Sequence, residues 1–84
     1  MTRIAKLNAR LLGGASLSFA EFQRILDAYG FRLLRVRGSH HIYARDGIDD
    51  QPSIQPVGGQ AKPYQLRQFV RILKDNALTL DASE

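Results

Sequence analysis

The sequence predicts an α+β fold in two layers, with amphipathic helices covering one face of a small antiparallel sheet. Three observations lead there. Apolar residues recur at helical steps from Thr2 to Leu12, from Phe19 to Tyr29 and from Leu66 to Leu73; that period is lost between Gly30 and Val57; and turn-forming residues divide the middle stretch into short extended runs. The order helix, helix, three strands, helix buries the apolar stripes of the helices and leaves the far side of the sheet to water or a ligand.

The first helix spans Thr2 to Leu12, with Ile4, Leu7 and Leu11 on one face, Arg3, Lys6 and Arg10 on another, and Gly13-Gly14 as its stop. Ser18 followed by Glu21 is a capping-box pattern that starts the second helix, whose apolar face is Phe19, Phe22, Ile25, Leu26 and Tyr29 and whose end is set by Gly30. Phe31 to Arg37 and His40 to Arg45 read as two strands of a hairpin joined by Gly38-Ser39. A loop from Asp46 to Pro52 leads to a third strand, Ser53 to Val57, where Pro56 favours an edge. Gly58 to Lys62 lead into the last helix, with Pro63 in its first turn, Leu66, Phe69, Val70 and Leu73 on its core face, and Arg67, Arg71 and Lys74 on its other side. The tail from Leu78 to Glu84 has no helical pattern and is expected to fray. The chain divides into an N-terminal helical extension (1–17), one domain (18–80) and a tail (81–84).

Eighty-four residues without cysteine make one modest core with no disulfide or thiolate metal site, and two histidines with eight acids leave little for zinc. No apolar run reaches the roughly 20 residues of a membrane span, and the N-terminus lacks the apolar centre of a signal peptide. The simplest expectation is a soluble cytoplasmic protein needing no cofactor. Net charge is only +4, yet five arginines and two acids lie between Leu17 and Arg45, and no acid at all lies between Phe31 and Arg45. A positive field concentrated in this way favours polyanions.

Both histidines, His40 and His41, sit in that basic stretch, directly after the hairpin turn. Imidazole can give and take a proton near neutral pH, and Arg35, Arg37 and Arg45 are natural handles for phosphate. A proton shuttle among arginines suggests RNA chemistry. Adjacent strand residues point to opposite faces, so only one histidine aims at a given site. Alternation sets His40 beside Ile42 and Ala44, which look like core, and His41 beside Tyr43 and Arg45, which look like the RNA-facing surface; on pattern alone the choice stays open, and a twist or bulge after Ser39 is one way to expose His40. Lys62 stands where exposed helix amides can bind an anion. Tyr64 is read as a staple for the last helix, and Ser39 as a turn residue more than a nucleophile.

The ordered set Gly30-Phe31, Arg37-Gly38-Ser39-His40-His41-Ile42-Tyr43, Gln55-Pro56 and Ala61-Lys62-Pro63-Tyr64-Gln65, closed by a basic helix, resembles the HicA (YcfA-like) family of bacterial toxins from about Ser18 to Leu78. The resemblance implies a double-stranded-RNA-binding-domain-like fold, a type II toxin acting as an mRNA interferase that depends on one histidine, and a HicB-type antitoxin that masks the site. It assigns the histidine to His40, with Gly38 in the turn before it; Arg35, Arg37, Gly38, Ser39, His41, Arg45 and Lys62 are then the expected RNA contacts. Residues 1–17 lie outside the family core. Their basic stripe has the composition of a short transit peptide, but beside this resemblance it is read as an added helix that packs on the domain or meets a partner.

Cleavage by internal attack needs a base for the 2′-hydroxyl, an acid for the leaving 5′-oxygen and positive charge at phosphorus. One histidine serves one transfer at a time, and Tyr43, a water or the substrate itself is left for the other. The competing reading is a non-catalytic double-stranded-RNA-binding module using the same basic face.

Overall fold

The computed structural model describes residues 3–80. Its elements are α1 (Arg3–Leu12), α2 (Phe19–Ala28), β1 (Arg32–Arg37), β2 (His40–Ala44), β3 (Ser53–Ile54), β4 (Pro56–Val57), β5 (Gln60–Ala61) and α3 (Pro63–Asp75). Strands β1, β2 and β3 form an antiparallel sheet in that order, and β4 pairs with β5 in a separate two-stranded ribbon. This is the expected α+β architecture of the double-stranded-RNA-binding-domain type, with an extra helix at its N-terminal end.

Helix α2 starts where its capping box dictates. Ser18 Oγ accepts from the Glu21 amide at 3.1 Å, and the Glu21 carboxylate accepts from the Ser18 amide at 2.9 Å, so two otherwise orphaned donors are satisfied. Gly30, at φ 83°, supplies the left-handed residue after the helix, and Phe31 N–H returns to the Leu26 carbonyl at 3.0 Å. The hydrogen bond from the Ser18 backbone is the main cause holding the Glu21 carboxyl below its ordinary 4.5; desolvation opposes it and Arg10 assists. A lowered carboxyl stabilises the fold fully above the ordinary value, and that contribution is lost as pH falls through the lower folded-state value. Thermal melts should therefore weaken on the acid side of pH 4.5, and Glu21→Gln should flatten that limb. Ser18→Ala should cost about 1 kcal/mol in urea titration at neutral pH.

Phe69 of α3 lies at the centre of the core. Its ring meets Phe22, Tyr29 and Phe31 edge-on at centroid distances of 5.7, 5.7 and 5.4 Å. Helix α1 is built into the same core, since Leu7 and Leu11 are buried within it. Polar contacts fix it to α2 and to the residue that caps α2: Arg10 pairs with Glu21 at 3.2 Å, and the Tyr29 hydroxyl donates to Asn8 Oδ1 at 2.7 Å. The N-terminal helix thus packs on the domain.

Three expectations need correction. The third strand does not run from Ser53 to Val57, because it breaks at Gln55. The Gln55 amide leaves the ladder to donate to the buried Gln65 side chain at 3.0 Å, and Pro56 has no amide to donate. Gln60 and Ala61, expected to lead into the last helix, instead form β5. The start of the tail is packed: Leu78 N–H bonds the Leu73 carbonyl at 2.8 Å, and Leu78 and Leu80 lie half-buried against the core. Residues 81–84 lie outside the described part of the chain.

Candidate functional site

Cross-strand partners share a face of a sheet, so the register sorts the side chains. Arg32, Arg35 and Arg37 pair with Ala44, Ile42 and His40, whereas Leu33 and Val36 pair with Tyr43 and His41. The contacts of β2 identify the two faces. Tyr43 is buried, and its hydroxyl accepts from Gln23 of α2 at 3.2 Å; the His41 ring meets Phe19 of α2 edge-on at 5.0 Å. His41 and Tyr43 therefore face the helices, and His40, Ile42 and Ala44 face outward with the three arginines. This reverses the expectation that Ile42 and Ala44 belong to the core and Tyr43 to the exposed surface. No irregularity after Ser39 is needed; ordinary alternation exposes His40 once the buried residue of β2 is known to be Tyr43.

The irregularity lies in β1. Leu33 and Arg35 oppose the consecutive residues Tyr43 and Ile42, which leaves Leu34 as an extra, bulged residue. Arginines at steps of three and two cannot share a face of an uninterrupted strand. The bulge brings Arg32 onto the face that already holds Arg35 and Arg37.

His40 opens β2 after a two-residue turn whose first position, Gly38, has φ 60°, the pattern of a type II′ hairpin. Its ring is exposed, and Nδ1 lies 3.3 Å from Ser53 Oγ on β3. With Nδ1 engaged in either tautomer, Nε2 is the nitrogen free to meet a ligand. Arg10–Glu21 is the only ion pair among the described residues, so the charges of Arg32, Arg35 and Arg37 are not neutralised. The outward face is an imidazole held from one side within an unpaired cationic field.

Other expected site residues stand elsewhere. The His41 Nδ1 lies 3.1 Å from the Ser39 carbonyl, and that ring supports the turn from the helix side. Arg45 donates to the Tyr29 carbonyl at 2.9 Å and packs over Gly30, at the opposite end of β2 from His40. Lys62 precedes α3 outside the three-stranded sheet, its ammonium 5.8 Å from the Tyr64 ring centroid. Tyr64 itself is 46% exposed and does not staple the helix to the core. Sequence reasoning did not find Ser53 or Arg32. Ser53 depends on the β2–β3 register, for which the chain carries no local signal; the uneven spacing of Arg32, Arg35 and Arg37 was the available sign of a bulge.

No helix among the described residues is long and apolar enough to cross a membrane. Comparison with curated proteins and with solved structures returned no match. The family model described as HicA toxin of bacterial toxin-antitoxin matches residues 19–76. That span takes in every strand of the His40 face and the helices α2 and α3 behind it, most of the chain, and on this ground the protein belongs to the HicA family of toxins, whose members act opposite an antitoxin.

Proposed function

We propose that this toxin is a metal-independent endoribonuclease that cleaves mRNA in the cytoplasm on the outward face of the sheet, with His40 as the proton-transfer residue. The observation that carries the reading is the exposed His40 ring, tethered through Nδ1 to Ser53 on a face bearing Arg32, Arg35 and Arg37. In the reaction the substrate 2′-oxygen forms a bond to phosphorus and the bond to the 5′-oxygen breaks, leaving a cyclic phosphate and a 5′-hydroxyl. His40 Nε2 serves one proton transfer. Tyr43 is turned toward α2, so the second transfer falls to water or the substrate. Arg35 and Arg37 meet the phosphates, and the Gly38-Ser39 turn sets the imidazole at their edge. A HicB-type antitoxin with an acidic surface occludes the same face, so RNA and antitoxin exclude each other.

Incubating purified protein with labelled single-stranded RNA in excess EDTA tests the reading. Progressive cleavage is the expected result; retention of uncut RNA would replace the enzyme with a binding module. The phosphate contacts have their own measurement. In an inactive His40→Ala background, Arg35→Ala and Arg37→Ala should each reduce the logarithmic salt slope of RNA binding by roughly 0.7, whereas Arg45→Ala, whose guanidinium already serves the Tyr29 carbonyl, should leave it unchanged. Slopes unchanged from the His40→Ala parent in both Arg35→Ala and Arg37→Ala would remove the arginines from the site.

A further inference from the structure

A second surface shares no residue with the His40 face. The end of α1, the loop after it and one side of α3 enclose a groove of about 570 Å³. Its floor is apolar, made by Leu11, Leu12, Leu66 and Val70. Leu12 is 55% exposed there, on a helix whose other leucines, Leu7 and Leu11, are buried. One wall carries Arg67, Arg71 and Lys74 at steps of four and three, one cation per turn of α3, with Asp75 the single acid lining the groove. None of these cations has an ion-pair partner among the described residues. Leu11, Leu12 and the loop at residues 14–16 precede the span matched by the family model, so the groove owes one wall to the N-terminal extension.

We propose that this groove docks an acidic amphipathic helix of a partner protein. Charge complementarity and the form of the groove select that occupant. An apolar floor offers nothing to phosphate or sugar, whereas leucine-like side chains at i, i+3, i+4 and i+7 fill such a trough between two helices. Pro63 to Lys74 spans about 17 Å at 1.5 Å per residue, enough for two to three turns of a docked helix lying along α3. Carboxylates on its flank then meet Arg67, Arg71 and Lys74, steering association and fixing orientation.

The test uses the full chain and stapled, fluorescently labelled probe helices with leucines at that spacing and either glutamate or lysine at the flanking positions. The glutamate helix should bind saturably and perturb amide resonances of α1 and α3 but not those of β1 and β2. Leu12→Asp and Arg71→Glu, both at exposed positions, should each weaken it about tenfold, and Arg71→Glu should gain affinity for the lysine helix. Circular dichroism confirms that each variant is folded; Lys74→Glu replaces any that is not. Absence of saturable binding, equal binding of both helices or perturbations confined to the sheet would overturn the proposal. So would loss of RNA affinity in Arg71→Glu with no helix bound, which would make the wall a nucleic-acid surface.

Discussion

Replacing His40 with alanine should lower RNA cleavage by roughly 10² to 10⁴, the usual cost of losing a general acid or base, and should abolish growth arrest on expression. The fold should survive, because the exposed ring has a single hydrogen-bond neighbour, Ser53 Oγ at 3.3 Å. His41→Ala is the matched comparison. It removes the edge-on contact with Phe19 and should cost about 1 kcal/mol of stability while leaving cleavage near the wild-type rate. Ser53→Ala should lower kcat more than it raises KM, as expected of a residue that positions the imidazole without touching substrate. A His40→Ala protein that cleaves within a few-fold of wild type would sink the assignment, and loss of activity in the His41 variant alone would transfer it.

The largest loss of stability is expected from Phe69→Ala. The ring is fully buried and is the common neighbour of Phe22, Tyr29 and Phe31, so its removal uncouples α3 from α2 and from the start of β1. Emptying such a site costs about 3 to 5 kcal/mol, a large share of the roughly 5 to 15 kcal/mol available to a small domain. Urea titration should show an unfolding free energy lowered by that amount, or a chain already unfolded in buffer. Phe22→Ala, at the other end of the same aromatic contact, should fall in the same range. A loss below about 1 kcal/mol in both would mean that the core closes without its aromatic centre.

The parts of this fold that were legible in the sequence are those whose signals are local. Ser18 with Glu21, the apolar steps through Phe22, Ile25 and Leu26, Gly30, and Pro63 each act within a few residues of themselves, and each does what its chemistry predicts. The errors concern partners far apart in sequence. Ile42 and Tyr43 are both apolar neighbours on β2, and only α2, through Gln23, decides that Tyr43 is the one turned inward. The break at Gln55 is made by Gln65, ten residues later in α3. The family resemblance points to His40 where alternation leaves the choice open, because alternation needs to know which face is buried before it can say which is exposed. Arg45, expected among the RNA contacts, instead donates to the Tyr29 carbonyl just after α2, a partner distant in sequence that no local signal announces.

The bulge at Leu34 also bears on how the chain behaves among its own copies. β1 is an edge of the sheet, six exposed residues long, with Leu33, Leu34 and Val36 each about half exposed. A flat, apolar edge of that length is a template for intermolecular strand pairing. The extra residue interrupts the row of free amides and carbonyls and sharpens the local twist. It also aligns Arg32, Arg35 and Arg37 on one face, so a second copy pairing with this edge would bring another row of guanidinium groups close to the first. The irregularity that gathers charge around His40 thereby disfavours strand pairing along the longest open edge among the described residues.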